Sequence, residues 1–195
     1  VPIGSIGADW NAWFDWQDCN NPGDHCEPLF SFTVQDIDVD PQTGDAWFAV
    51  NQQQLGVSPK PGGVARRSAD GLTDTWDRSD ELPSNRATSI VVVNGTVWAG
   101  SPIGLARLEP TTQTWVTELE LNINAITAQG DQLWVATDEG AQVLRSDGTW
   151  DTWTTDQGLP NNSVQALTAN DDVVCLGTAA GVGCYRSSTC SWSWP

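Results

Sequence analysis

The stretch 82–117, LPSNRATSIVVVNGTVWAGSPIGLARLEPTTQTWVT, returns at 159–194 as LPNNSVQALTANDDVVCLGTAAGVGCYRSSTCSWSW. Pro83 recurs as Pro160, Asn85 as Asn162, Gly104 as Gly181 and Trp115 as Trp192, each pair 77 residues apart. A further copy divides that interval: Trp98 and Trp134 are 36 apart, Gly104 and Gly140 are 36, and Gly140 and Gly181 are 41. Self-similarity at a fixed period marks one supersecondary unit repeated along the chain.

Each unit has the same internal grammar. A segment opening on Leu-Pro (LPSNR at 82, LPNNS at 159) precedes an alternating strand (TSIVVV, NAITAQ, SVQALTA). A second strand ends in small residues (TVWAGS, QLWVAT, VVCLGT), and after a tight turn to Gly comes a third (GLARLE, GAQVLR, GVGCYR). A fourth strand begins at Trp115, Trp150 or Trp192, and a divergent first copy runs from Val34 through Trp47, Gly63 and Trp76. Asn94-Gly95 between apolar runs is a hairpin signal, and Ser101-Pro102-Ile103-Gly104 suits a type I turn. Four short antiparallel strands per 36–41 residues, without 3.6-residue periodicity, predict an all-β protein of about four propeller blades. A solenoid of stacked hairpins is the competing architecture.

The residues Trp98, Gly104, Trp134, Thr137, Gly140, Thr178 and Gly181, set in the pattern "LPxN…I…G.LWVAT..G…L…W..W", resemble the two-component-regulator propeller repeat. That repeat occurs in periplasmic sensor regions of bacterial hybrid kinases. The resemblance covers roughly 29–195 and implies the fold more strongly than any function, because the shared positions are structural. Complete propellers of that family carry more than the four blades counted here, at 29–79, 80–118, 119–157 and 158–195.

Residues 1–28 stand outside this count. Asp9-Trp10-Asn11-Ala12-Trp13-Phe14 matches Thr149-Trp150-Asp151-Thr152-Trp153-Thr154, an outer strand that precedes any blade it would complete. It could close the ring on the last blade, lie over its side, or add to the edge of another subunit. The last arrangement would place Trp10, Trp13 and Trp16 in a subunit contact. Trp13, Trp16, Trp153 and Trp194 are read as outer-strand residues available to partners, whereas Trp47, Trp98 and Trp134 recur at core positions. A polar insertion, Asn51–Gly62, separates the second and third strands of the first blade on the face that carries the Leu-Pro openings. That loop rim is a candidate binding surface.

Five cysteines and the lack of methionine in a chain starting at Val1 suggest a secreted, extracellular or cell-surface protein. Cys19 and Cys26 flank a turn-rich hexapeptide and are expected to form a local disulfide. If Thr178 pairs with Gly181, Cys175 falls opposite Cys184, although Cys184–Cys190 competes. Either way one cysteine, Cys190 in the first pairing, is left unpaired or intermolecular. The sequons Asn94-Gly95-Thr96 and Asn161-Asn162-Ser163 make Asn94 and Asn161 candidate glycan sites.

Charge and chemistry exclude several classes. Eight Lys+Arg against 25 Asp+Glu leave a net charge of −17, so nucleic acid is an unsuitable partner. No apolar run reaches the roughly 20 residues of a membrane span. The single His25 lies inside the Cys19–Cys26 loop, away from any Ser-His-Asp arrangement on the repeats. No cofactor motif is present, and no metal set is assigned. Asp36, Asp38, Asp40 and Asp45 invite a calcium reading, but they lack the Gly and Glu of an EF-hand loop. Their alternation with Ile37 and Val39 makes three of them solvent-side residues of a strand. The reading is therefore a non-catalytic, self-associating extracellular subunit, a ring or filament built by N-terminal strand exchange. The alternative is an extracytoplasmic ligand-sensing or protein-binding propeller.

Overall fold

Apolar residues at every second position need a sheet with something to pack on each face, and the chain supplies this four times. The computed structural model describes residues 33–51, 62–71, 73–189 and 191–193. All of them belong to the unit Ser31–Pro195. Blade 1 comprises β1 (Thr33–Val39), β2 (Ala46–Asn51), β3 (Gly63–Arg67) and β4 (Thr73–Trp76). Blade 2 comprises β5 (Ser89–Val93), β6 (Thr96–Ser101), β7 (Gly104–Glu109) and β8 (Thr114–Leu119). Blade 3 holds β9 (Ile123–Gln129), β10 (Gln132–Thr137), β11 (Gly140–Leu144) and β12 (Trp150–Trp153). Blade 4 holds β13 (Val164–Ala169), β14 (Val173–Thr178), β15 (Gly181–Arg186) and β16 (Ser191–Ser193). Each is an antiparallel meander in chain order.

The first strands lie side by side, β1 by β5, β5 by β9 and β9 by β13. The repeat is therefore also a spatial one. Register places Trp47 opposite Arg66, Trp98 opposite Arg107, Trp134 opposite Val143 and Cys175 opposite Cys184. Residues facing each other across an antiparallel pair share a face. One face of each blade therefore carries Trp47, Trp98, Trp134 or Cys175, and in blades 1 to 3 it points to the following blade.

Three cores form where that face meets the next sheet. Trp47 and Val64 pack with Ile90, Val97 and Ala99. Trp98 and Leu105 pack with Ile126, Leu133 and Val135. Trp134 and Val143 pack with Val164, Val174 and Leu176. Burial of each large side chain contributes about 1.5–3 kcal/mol, so these junctions carry the fold's stability. The three tryptophans are buried, as their recurrence predicts.

The Leu-Pro openings have a mechanical role. Leu82 and Leu159 are buried in the junction cores. Before each lies a one-turn 3-10 helix, Arg78–Asp80 or Thr155–Gln157, closed by a capping box. The repeated asparagines complete the loop: Arg78 N donates to Asn85 Oδ1 and Thr155 N to Asn162 Oδ1, both at 2.8 Å. One turn is too short to leave a periodic signal, so the sequence pattern does not reveal these helices.

Candidate functional site

The hydroxyl at the end of each second strand builds the rim turns. Ser101 Oγ, Thr137 Oγ1 and Thr178 Oγ1 donate to the carbonyls of Gly104, Gly140 and Gly181 at 2.9, 2.7 and 2.8 Å. Each also accepts from the backbone N–H two residues on. Thr137 is 1% exposed. Thr137→Val keeps the shape but removes the hydroxyl donor to the Gly140 carbonyl and the acceptor of Glu139 N, so urea denaturation is expected to show a loss of about 1–3 kcal/mol. No loss would mean that the hydroxyl is incidental.

On the same rim, the Asp138 carboxylate accepts from Asn122 at 2.8 Å and from Asn124 at 2.9 Å. Those donors hold its pKa below the usual carboxylate value, Asn122 first and Asn124 second. A depressed folded-state pKa adds stability above the unfolded value, and that stability is lost as pH falls through the folded one. Asn124 also donates to Val164 O, which ties the blade 3 rim to blade 4. The polar insertion begins where β2 ends at Asn51, which bridges to Arg86 in the blade 2 opening. The insertion's starting end and that opening thus share a face, as the sequence indicated, while residues 52–61 lie outside the described ones.

The aspartates of β1 reverse one expectation. Ile37 and Val39 are the exposed residues, at 56% and 52%. Asp36 and Asp38 turn instead to blade 2, where their Oδ2 atoms accept from Ile90 N at 3.0 Å and Val92 N at 2.7 Å. Their Oδ1 atoms accept from Ile37 N and Val39 N. The edge N–H groups of β5 need acceptors, and these carboxylates provide them. Asp40 binds Gln42 N and Thr43 Oγ1 in its own turn, and Asp45 pairs with Ala69 N and Arg66. Every one of the four thus has a protein partner.

A second correction concerns Trp153. It does not present itself to partners but packs inward, 6.1 Å from the Trp134 ring and 4.9 Å from Tyr185. Trp76, on the outer strand of blade 1, does the same: it stacks on Trp47 at 5.4 Å and donates to Gln113 O. An outer strand this short and twisted still aims alternate side chains into the junction. Trp10, Trp13, Trp16 and Trp194 lie outside the described residues, as do Cys19, Cys26 and Cys190.

Cys175 and Cys184 are joined, so the competing Cys184–Cys190 pairing is not adopted. The bridge sits on the face of blade 4 that carries Trp47, Trp98 and Trp134 in the other three blades. Asn94 is exposed at a hairpin tip, with φ of 52° followed by 72° at Gly95, as a tight primed turn requires. Asn161 is half-buried, and its Oδ1 accepts from Ser163 N. Asn94 is therefore the more accessible of the two sequons.

The cations are largely neutralised within their sheets. Arg107 pairs with Glu118 and Glu109, Arg66 with Asp74, Arg145 with Asp151 and Arg186 with Asp172. Arg66 also lies over the Trp47 ring at 5.5 Å. Such pairs leave the outer surface acidic and ill suited to phosphate. Among the described residues, no group of three or more His, Cys, Asp or Glu is arranged to hold a metal ion. No helix there is long and apolar enough to cross a membrane.

Solved structures share this arrangement. The extracellular domain of the BT4673 system from B. thetaiotaomicron superposes with a TM-score of 0.63 at 19% identity, over 85% of this chain and 22% of that one. PorZ, a bacterial surface component of the type-IX secretion system of Porphyromonas gingivalis, gives 0.60 at 20% identity over 82% and 26%. Virginiamycin B lyase from Staphylococcus aureus gives 0.58 at 13% identity over 83% and 54%. The WD40 repeats of RRP9 match similarly, with a TM-score of 0.60. This is a β-propeller fold. The four blades span between about a fifth and about half of these relatives. No family model matches the sequence, and no curated protein does. The propeller reading prevails over the stacked-hairpin solenoid, and the disulfide suits an oxidising setting.

Proposed function

We propose that this propeller is a non-catalytic, extracellular structural subunit that associates with further copies of itself. The observation that carries the reading is the distribution of exposed apolar side chains. Ile37 and Val39 on β1 and Val182 on β15 are exposed large hydrophobics, although Ala46, Phe48, Val50 and Ala65 on the same face of blade 1 are buried. Apolar side chains left exposed on an otherwise acidic protein are candidate contact points for another chain. The N-terminal outer-strand sequence with Trp10, Trp13 and Trp16 is a second means of contact, by strand addition to another copy's edge. Secretion, a glycan on Asn94 and an intermolecular bond through Cys190 belong to the same reading.

Deleting residues 1–18 tests the strand-exchange part. Sedimentation is expected to show folded monomers where the full chain forms larger species. Unchanged assembly would reject strand exchange. The alternative, an extracytoplasmic sensing or protein-binding propeller, draws support from the sensor and surface proteins with this fold. It predicts a monomer whose melting temperature rises with a ligand bound at the loop rim.

A further inference from the structure

The blade 2 hairpin turns on Asn94-Gly95, the one place in the chain where asparagine precedes glycine. Both residues are exposed, and φ is 52° at Asn94 and 72° at Gly95, the left-handed values of a two-residue hairpin loop. Among the described residues, nothing hydrogen-bonds the Asn94 carboxamide or the Gly95 N–H. A Cβ added to Gly95 would meet only Gln42 Oε1, at 3.9 Å, so the surroundings of the turn are open.

The other asparagines of blades 2 to 4 are held. Asn85, Asn161, Asn162 and Asn170 accept backbone N–H groups through Oδ1. Asn122 and Asn124 donate to Asp138 through Nδ2. Each of the six is also followed by a residue that carries a side chain, as Asn85 is by Arg86 and Asn122 by Ile123. A carboxamide fixed in this way cannot turn its carbon onto the next backbone nitrogen, and a side chain there obstructs the approach. Of these seven asparagines, Asn94 alone has a free amide and an unhindered successor.

We propose that Asn94 is a self-converting modification site, at which the backbone nitrogen of Gly95 attacks Asn94 Cγ. A bond forms between Gly95 N and Cγ, the Cγ–Nδ2 bond breaks, and Nδ2 leaves as ammonia with the proton from Gly95 N. Water then opens the five-membered imide at either carbonyl, giving aspartate or isoaspartate. Each product is one charge more negative than the parent at −17. Isoaspartate routes the main chain through the side chain and adds a methylene to a two-residue loop. Val93 and Val97 flank that loop and are buried in two different blade junctions, so the change loosens β5 and β6 where they pack. Asn94 also opens the sequon Asn94-Gly95-Thr96, and a sugar on Nδ2 occupies the leaving atom. Glycan attachment and conversion therefore compete for one carboxamide. Neither depends on self-association.

Peptide mapping of the unglycosylated, folded chain, held at physiological temperature and mildly alkaline pH, tests the site. The fragment Ala87–Arg107 released by trypsin contains Asn94 as its sole side-chain amide. It is expected to gain one mass unit ahead of every fragment carrying the six held asparagines, and to become a substrate for an isoaspartate-specific methyltransferase. Gly95→Asp keeps a residue type that visits the left-handed region, and should slow the gain to the pace of those fragments. Hydrogen exchange should quicken in β5 and β6 of the isoaspartyl form. A chain bearing a glycan on Asn94 should resist conversion, and equal conversion with and without the sugar would overturn the competition. If the fragment stays intact in the folded chain while the same peptide free in solution converts, the hairpin keeps nitrogen and Cγ apart and the site is wrong. Conversion at the pace of the held asparagines, or at a pace that Gly95→Asp does not change, would overturn it as well.

Discussion

Replacing Trp134 with alanine is expected to remove about 3–5 kcal/mol from the unfolding free energy, measured in urea. Trp134 is 1% exposed and fills the junction between blades 3 and 4, against Ala136, Val143, Leu159, Val174 and Leu176. Its ring also meets Tyr185 at 6.0 Å. The indole N–H has no hydrogen-bond partner, so the loss is one of packing, and Trp134→Phe should recover much of it. Blade 4 contacts the rest of the described propeller through blade 3. Hydrogen exchange should therefore accelerate first in β13–β15, ahead of blades 1 and 2. A loss below about 1 kcal/mol would show that the junction repacks around the hole and that the recurring tryptophan is not its keystone.

The second large effect is at Gly140, with Gly181 as its internal control. Both have φ near +130°, a region that side chains rarely adopt. A Cβ at Gly140 would stand 2.4 Å from the Trp153 carbonyl oxygen, whereas one at Gly181 would meet none of the described residues within 4 Å. Gly140→Ala combines backbone strain with a clash against main chain that cannot move alone, and should cost about 2–5 kcal/mol. Gly181→Ala carries the backbone contribution only, about 1–3 kcal/mol. Thermal or urea unfolding of the pair would separate the two terms. Equal losses would mean that close approach to β12 plays no part.

These two substitutions show what was legible in the sequence. Trp134 and Gly140 stood out because each repeats at a fixed spacing, and a repeated core residue is repeated for a geometric reason. The Cys175–Cys184 register followed from the turn at Thr178 and Gly181, since a one-residue slip would invert every side chain. What alternation could not settle was which face of β1 is the inner one. Asp36 and Asp38 read as polar and therefore outward, but their partners are backbone N–H groups of β5, 54 residues on. Long-range pairing of a side chain with main chain leaves no trace in local pattern. The same limit hid Trp153, whose place on an outer strand suggested an outward residue while its ring packs against Trp134. The Asp138 cluster and the hydroxyl clamps were hidden for a milder reason: their residues are ordinary turn formers, and only geometry distinguishes a clamp from a turn.

The proposed self-association has a direct test in the charge of the chain. A net charge of −17 makes like copies repel at low ionic strength, and salt shortens the range of that repulsion. Static light scattering of the unmodified protein, followed from about 10 mM to about 500 mM salt at several protein concentrations, reads the consequence. The expected result is a mass that grows with both salt and concentration in steps of the 21.0 kDa chain. A mass that stays at one chain throughout would contradict it.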